Sequence, residues 1–557
     1  MRVSPGESAR SLCPLSQICV AGQKMEGNFA LSGWESQAVG GSRFETQCTR
    51  SRISGMLLAV LRSGRKFRLS AGIVMRFASR MVLFVVGLAA VTAQAQRLNS
   101  NVHFQHVVVI VQENRTPDNL FQGLCAAPYG ACAVPPTPVA PYDIQTSNWK
   151  TKNGTIQPAA VALANTYDLS HSHSAFNSMC DITAGSPPTC QMDGAAGVVC
   201  SPETGATCPA NSQFMYVDNS TGILDPYLDL ATEYGWANYM FQTNQGPSFP
   251  AHQFIFGGTS APSPADDALG IFMAENGTAS GGCIAPSGTT VAFISPNSTP
   301  PPYGVEATRG SECSEHQTMA DLVTNWKYYA ASAAGLWTAP NAINHICLPS
   351  DGGECAGWGA HVALNPSQVL TDLSNCELAD LTWITPTWAN SDHAGNNDGG
   401  GPSWVASIVN TIGNSTCADT VNGQSVTYWQ DTAIFITWDD WGGWYDHEPP
   451  TILGGVQGDY QYGFRVPMIV VSAYTDQGFI DNQRYDFGSL LRFIERNFDN
   501  LGLAQGELGF ADSRATTDFS SFFRTDRAPR SYAGIKAPKK AAFFINDPRP
   551  PEPPDND

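Results

Sequence analysis

The stretch HVVVIVQEN at residues 106–114 decides the fold, because an unbroken β-branched run leads directly into side chains that carry oxygen ligands. A second stretch, AIFITWDD at residues 433–440, repeats this arrangement much later in the chain. Apolar runs without alternation are typical of strands buried on both faces of a parallel sheet. Ligands of such sheets bind outside the carboxyl ends of the strands. If the two strands are neighbours, four oxygen-bearing side chains meet at one sheet edge: Glu113, Asn114, Asp439 and Asp440.

This predicted cluster favours a bound cation. Three carboxylates at close range repel one another and raise a pKa unless a positive charge lies among them. Carboxylate and amide oxygens are the ligands of divalent metal ions in proteins, and an all-oxygen set leaves zinc, calcium, magnesium and manganese open. Taken alone, Glu113-Asn114 also fits an Asx turn or a helix cap. Together with Asp439-Asp440, the pattern predicts a metal-dependent hydrolytic site.

Ser248 is the candidate nucleophile. It lies in Gly246-Pro247-Ser248-Phe249-Pro250, a glycine-led turn between two prolines. Such a serine can simply be a helix N-cap. A nucleophile needs the same placement, with its hydroxyl projecting from a rigid turn. Because a metal lowers the pKa of a nearby hydroxyl, an adjacent histidine base is not required.

Histidines supply the other candidates. His171 and His393 lie in polar loops, where they are either solvated or able to stabilise phosphoryl oxygens and protonate a leaving oxygen. His345 is flanked by apolar residues and is interpreted as a core histidine. Asp446-His447 either supplies an imidazole that ligates the metal or supports its ligands, or is part of a surface turn before Pro449-Pro450.

The N-terminal region predicts a secretory signal peptide over residues 75–95. A short basic segment (75–80) precedes an apolar run (81–91) and an Ala-x-Ala cleavage site ending at Ala95. The apolar run is about half of the roughly 20 residues that a membrane span needs. Residues 1–74 are interpreted as an upstream extension outside the fold, and the mature protein is expected to be secreted or periplasmic without an integral membrane span.

Composition after residue 95 excludes several partners. The first 95 residues hold 12 Lys and Arg and 4 Asp and Glu, so 18 basic and 45 acidic groups remain, a formal charge of −27. Such a chain is a poor partner for nucleic acid or anionic lipid, and a phosphate substrate would need a local positive centre. Twelve cysteines follow the signal, an even number that indicates disulfides in an oxidising compartment. Neighbours in sequence that could pair are Cys125 with Cys132, Cys180 with Cys190, Cys200 with Cys208, and Cys347 with Cys355.

Strands that alternate with helical segments favour one α/β domain over residues 96–546, with long loop insertions pinned by disulfides. Helices are predicted at 226–234, 321–334, 365–375, 404–412 and 488–496, and further strands at 380–384 and 466–472. The Pro- and Asp-rich segment 547–557 is predicted to be a disordered tail.

These motifs resemble the bacterial phosphoesterase family that includes secreted phospholipases C and acid phosphatases. The matches occur in family order through the mature chain: Glu113-Asn114-Arg115-Thr116, Asp168-x-x-His171-Ser172, Met192-Asp193-Gly194, Gly246-Pro247-Ser248, Trp383-Ile384-x-Pro386 with Asp392-His393, Asp431-Thr432 through Asp446-His447, Arg465-Val466-Pro467, and Ser489-x-x-Arg492-Phe493-Ile494-Glu495. Position 440 is Asp where many members carry Glu, which keeps the ligand charge and changes its reach.

The resemblance implies an alkaline-phosphatase-like, three-layer α/β/α sandwich with a mostly parallel central sheet. It implies metal binding by Glu113, Asn114, Asp439 and Asp440, a Ser248 nucleophile, and phosphate-site imidazoles at His171 and His393. The expected function is a metal-dependent phosphoesterase that forms a phosphoserine intermediate on a phospholipid or a small phosphomonoester.

The alternative is a catalytically silent extracellular binding protein for phosphorylated or glycan ligands. The Trp-rich segment Trp438, Trp441 and Trp444, interpreted as exposed, favours it because tryptophans stack on sugars. The intact set of candidate ligands and the intact Ser248 disfavour it.

Overall fold

The computed structural model describes residues 103–130, 132, 142–183, 185, 188–274, 281–295, 308–395, 397–452 and 462–552. All of them belong to one compact unit, Val91–Asp557. The predicted upstream extension and signal peptide therefore lie outside the described residues, as do residues 553–557 of the predicted tail. Within its described part, residues 547–552, Arg549 donates to Asp398 over 3.2 Å.

An eight-stranded sheet forms the centre of the domain. Its strands, in chain order, are β1 (His106–Gln112), β2 (Gly235–Phe241), β3 (Trp326–Tyr329), β4 (Val362–Ala363), β5 (Leu381–Ile384), β6 (Thr432–Trp438), β7 (Met468–Val471) and β8 (Phe479–Asp486). Their spatial order is β4-β3-β5-β1-β6-β7-β2-β8. Every pairing is parallel except those of β7, which runs antiparallel to both β6 and β2.

The two strands that carry the continuous apolar runs, β1 and β6, are neighbours at the middle of this sheet. β1 pairs with β6 over its full length, from His106 opposite Thr432 to Gln112 opposite Trp438. Every residue of both strands is buried. The continuous apolar runs thus arise because helices cover both faces of the sheet.

Two groups of helices pack on the sheet and complete the α/β/α sandwich. The longer helices are α1 (His173–Cys180), α2 (Asp225–Glu233), α3 (Ser248–Gly257), α4 (Gln368–Ser374), α5 (Gly401–Gly413) and α6 (Phe487–Leu501). α3 packs with α6, whereas α5 packs with α2 and α4. Helices predicted near α2, α4, α5 and α6 are confirmed.

Shorter elements fill the insertions. Single-turn α-helices are Pro117–Leu120, Pro264–Asp267, Met319–Leu322, Asn344–Cys347, Tyr428–Asp431, Ala511–Arg514 and Ala541–Ile545, and 3₁₀ turns are Gln122–Cys125, Ala195–Gly197, Gly282–Ile284, Ala339–Ala342, Trp388–Asn390 and Phe519–Phe522. Paired short strands are Trp149–Thr151 with Gly154–Ile156, Ala159–Val161 with Met215–Val217, Tyr167–Leu169 with Cys200–Pro202, Ala418–Val421 with Gln424–Thr427, and Val291–Ile294 between Phe272–Met273 and Thr308–Gly310.

The helix predicted at 321–334 is wrong. A single helical turn ends at Leu322, and Trp326–Tyr329 forms β3, which pairs with β5 inside the sheet. Aromatic residues favour strands, and pairing with a buried neighbour overrides the helical spacing of this segment.

Disulfides pin the insertions as the sequence indicates. All four of the pairs proposed from spacing are present among the described residues. Two longer-range bridges join Cys283 to Cys313 and Cys376 to Cys417. No helix within the described ranges is both long enough and apolar enough to span a membrane.

A buried carboxyl pair on α6 predicts a pH-dependent stability. The carboxyls of Glu495 and Asp512 are both buried, and burial together with repulsion from Asp512 raises the pKa of Glu495 from 4.5 to about 8. A raised folded-state pKa contributes stability that is complete below pH 4.5 and is lost as pH rises through about 8. Glu495→Gln should therefore raise Tm relative to wild type at pH 9 by about 1 °C per kcal/mol regained, and change it little at pH 5.

Thermal melts at the two pH values check this expectation. Glu377→Gln is the matched control, because Glu377 is exposed. An equal Tm difference at both pH values for Glu495→Gln would show that its carboxyl does not hold a proton in the folded protein.

Candidate active site

The carboxyl ends of β1 and β6 bring the predicted acidic residues together. The backbone N–H of Asp439 donates to the Gln112 carbonyl over 2.9 Å, and the backbone N–H of Asn114 donates to Asp439 Oδ1 over 3.0 Å. Glu113, Asn114, Asp439 and Asp440 are all fully buried at this edge. The convergence expected from two separate strand ends is confirmed.

A tight turn after each strand aims these side chains inward. Asn114 has φ +61°, a left-handed conformation that asparagine adopts more readily than most residues. Gly442 has φ +60°, and a Cβ at this position would lie 2.3 Å from the Asn114 carbonyl oxygen. Glycine is therefore needed at position 442, both for the backbone angle and for close packing of the two turns.

Ser248 faces the acidic cluster from the other side. It is the first residue of α3, and its Oγ lies 3.4 Å from Glu113 Oε2 and 3.3 Å from Asp440 Oδ2. Its side chain caps nothing in the helix, so the N-cap interpretation does not apply. Only 3% of Ser248 is exposed.

His252 also belongs to the site, and sequence reasoning assigned it no role. Its Nε2 lies 3.2 Å from Glu113 Oε1 and 3.7 Å from Asp439 Oδ2. Burial lowers the pKa of His252 to about 4, so the imidazole is neutral. The usable signal was its spacing: residues four apart on a helix share one face, which places His252 on the same side of α3 as Ser248.

The electrostatics and the unsatisfied atoms fit a bound cation. Burial, and then repulsion from Asp439, holds the pKa values of Glu113 and Asp440 well above their usual range. Among the described residues, Asn114 Oδ1 and Asp439 Oδ2 are buried without a hydrogen-bond partner. Ligand atoms of Glu113, His252 and Asp439 lie within 4.8 Å of one another. Buried oxygens that lack donors, beside charges that repel, are the environment that a divalent metal stabilises.

The structure places His171 and His393 beside this cluster. His171 Nε2 lies 3.2 Å from Asn114 Nδ2, and His171 Nδ1 lies 2.8 Å from the Leu169 carbonyl oxygen. These two contacts fit the tautomer in which His171 Nδ1 donates to the Leu169 carbonyl and Nε2 accepts from the side-chain amide Nδ2 of Asn114. The His171 and His393 rings are 5.8 Å apart, and the His393 ring also contacts Trp388 at 4.6 Å.

Asp446 and His447 lie in a separate buried ion network. Arg465 donates to both Asp446 oxygens at 3.0 Å, and His447 lies 2.8 Å from Asp118 and 3.2 Å from Asp143. Although burial lowers it, attraction to Asp118 and its hydrogen bond raise the pKa of His447 to about 10. The pair is not a surface turn, because Asp446 is fully buried and the His447 imidazole lies between Asp118 and Asp143. Ligand atoms of Asp118, Asp446 and His447 also lie within 4.8 Å of one another, so a metal-related role of His447 stays a prediction.

Two further interpretations are wrong. Trp438, Trp441 and Trp444 are fully buried, so the observation that favoured a glycan-binding protein is removed. His345 is not a core residue. It is partly exposed and pairs with Glu315 at 2.6 Å and with Asp321 at 2.8 Å.

Comparisons with known proteins identify phospholipases C as relatives. The chain is 30% identical over 151 residues to a non-hemolytic phospholipase C of Burkholderia pseudomallei, which covers 23% of this chain and 20% of that protein. It is 23% identical over 208 residues to phospholipase C B of Mycobacterium tuberculosis (33% and 38%) and 25% identical over 171 residues to non-specific phospholipase C1 of Arabidopsis thaliana (27% and 29%). The matches thus span less than two fifths of these relatives' lengths.

Among solved structures, a protein of the alkaline phosphatase superfamily from Vibrio parahaemolyticus aligns over 56% of this chain and 67% of its own, with 11% identity and a TM-score of 0.27. The sequence model of the phosphoesterase family matches residues 104–501, a range that contains both strand ends, Ser248 and both candidate histidines. The chain belongs to the phosphoesterase family.

Proposed function

We propose that the protein is a secreted, metal-dependent phosphoesterase that hydrolyses phosphate esters through a phosphoserine intermediate. The observation that carries the proposal is the position of Ser248 Oγ, within 3.4 Å of carboxylate oxygens from both Glu113 and Asp440. A metal held by Glu113, Asn114, Asp439 and Asp440 would lower the pKa of this hydroxyl and neutralise charge on the phosphoryl group.

In the proposed reaction, Ser248 attacks phosphorus. As the first residue of a ten-residue helix, it lies where free backbone N–H groups and the helix dipole favour a phosphate. The Ser248 hydroxyl gives its proton to one of the carboxylates it contacts, Glu113 or Asp440, and Oγ forms the new P–O bond. The bond to the leaving oxygen breaks with its electron pair, and that oxygen takes up a proton. Water then cleaves the P–O bond to Ser248, which regains its proton, and releases inorganic phosphate from a monoester or a phosphomonoester from a diester.

His171 and His393 complete the proposed chemistry. Both are buried, with exposed fractions of 3% and 1%. A protonated imidazole in this position can hydrogen-bond an equatorial phosphoryl oxygen or give a proton to the leaving oxygen. For His171 this requires Nε2 to exchange its contact with Asn114 Nδ2 for one with the phosphoryl group. Exclusion of water strengthens both interactions.

The substrate is tested by comparing two chromogenic esters. We expect a higher kcat/KM with p-nitrophenyl phosphate than with p-nitrophenylphosphorylcholine, measured after reconstitution with zinc, manganese, magnesium or calcium in turn. The reverse order would assign a phospholipase C specificity, as in the named relatives. Hydrolysis of neither ester with any of these ions would contradict the proposal.

Secretion is supported by the six disulfides found among the described residues, because disulfides form in oxidising compartments. N-terminal sequencing of the protein from the culture medium or periplasm tests it. We expect a first residue of Gln96.

A further inference from the structure

We infer that Asp392 is a positioning residue that fixes the His393 imidazole relative to the metal-holding carboxylates. The inference rests on the proposed function, because it assigns His393 to the phosphate site. Asp392 is fully buried and immediately precedes His393. Its role follows from what it contacts.

Asp392 forms hydrogen bonds with the residue before Glu113-Asn114 and with the residue before Asp439-Asp440. Its backbone amide donates to Gln112 Oε1 over 3.0 Å, and Gln112 immediately precedes Glu113. The Trp438 indole N–H donates to Asp392 Oδ2 over 3.0 Å, and Trp438 immediately precedes Asp439. One residue thus ties the His393 loop to the ends of β1 and β6 at once.

Two further bonds fix Asp392 from other directions. The Tyr227 hydroxyl, on α2, donates to Asp392 Oδ2 over 2.8 Å. Arg115, which follows Asn114, donates through Nε to the Asp392 carbonyl over 2.7 Å. The residue is therefore held through its amide, its carbonyl and its carboxylate, by groups from three different elements.

The carboxylate also limits what can lie next to it. A Cβ at Gly401, the first residue of α5, would lie 2.1 Å from Asp392 Oδ1. Gly401 does not have a positive φ, so alanine is compatible with its backbone, and its effect would come from displacing the carboxylate. Burial raises the pKa of Asp392 to about 6, although the Tyr227 hydrogen bond and Arg115 oppose this shift.

A purely structural role is the competing explanation, and matched variants separate the two. Tyr227→Phe removes one bond to Asp392. Tyr234→Phe is its control, because the buried Tyr234 hydroxyl instead donates to the Ala533 carbonyl over 3.3 Å. Gly401→Ala pushes on the carboxylate, and Gly352→Ala is its control because its nearest neighbour atom is 3.7 Å away.

Two readouts decide the inference on the full-length metal-loaded enzyme. The first is kcat and KM with p-nitrophenyl phosphate. The second is the pH titration of the His393 imidazole by NMR in histidine-labelled protein, assigned with His393→Gln. We expect Tyr227→Phe and Gly401→Ala to lower kcat about tenfold with a smaller change in KM, and to move the His393 resonance. Both controls should leave kcat and the resonance unchanged.

Other results overturn the inference. A wild-type kcat in both Tyr227→Phe and Gly401→Ala would overturn it. A lower kcat with an unchanged His393 resonance would also overturn it, because the loss of activity would then not come from a displaced His393 imidazole. If the wild-type enzyme hydrolyses no phosphate ester, the proposed function fails, whereas the resonance still shows whether Asp392 positions His393.

Discussion

Replacing Ser248 with alanine is expected to lower kcat by about four orders of magnitude or more, because it removes the atom that forms the covalent intermediate. The change deletes one buried hydroxyl whose contacts are both with carboxylates of the cluster. Stability and metal content should therefore change little. Steady-state hydrolysis of p-nitrophenyl phosphate measures the effect.

Ser314→Ala is the matched control for this experiment. Ser314 is equally buried, and its hydroxyl donates to the Ala342 carbonyl over 2.8 Å, away from the acidic cluster. Acid quenching of the wild-type reaction followed by mass spectrometry should show phosphate on Ser248. Activity of Ser248→Ala within tenfold of wild type would exclude the phosphoserine route.

The second large effect is expected for Asp439→Asn. Asp439 Oδ1 accepts from the backbone N–H of Asn114 and, over 2.7 Å, from the backbone N–H of Asp440. Asp439 Oδ2 has no hydrogen-bond donor among the described residues. Asparagine can keep the backbone bonds through its oxygen but removes the charge and presents an amide to the cluster. We expect metal affinity to fall more than about 100-fold, since even partners of metal ligands are worth about 10–100-fold.

Metal affinity is measured by competition with a chelator, and activity is measured in parallel. Asp372→Asn is the control, because Asp372 is 2% exposed and pairs with Lys327 and Tyr329 outside the site. Equal metal affinities of Asp439→Asn and wild-type protein would remove Asp439 from the ligand set.

The central strands could be predicted because their signal is local. Residues 107–111 and 433–436, which lead to Glu113 and Asp439, are apolar at every position, a pattern typical of strands buried on both faces. β3 was not predicted, because Trp326–Tyr329 becomes a strand by pairing with β5, a partner distant in sequence. The antiparallel direction of β7 has no local signature either, since Met468–Val471 is as apolar as a parallel strand would be.

The residues of the site likewise fall into those that could be predicted from the sequence and those that could not. Acidic residues at strand ends and a serine at a glycine-led turn could be read directly. His252 and Asp392 could not, because their roles come from the fold: one lies a helical turn after Ser248, and the other meets donors from α2 and β6. The prediction for Trp438, Trp441 and Trp444, at and just after the end of β6, was wrong in the opposite direction, because polar neighbours in sequence made fully buried side chains look exposed.

The most direct test is a crystal structure of the protein loaded with manganese or zinc, with anomalous data collected at the absorption edge of that ion. We expect one strong anomalous peak among Glu113, Asn114, Asp439 and Asp440, close to Ser248 Oγ. An ion bound elsewhere, with these four side chains free of metal in the active protein, would contradict this expectation.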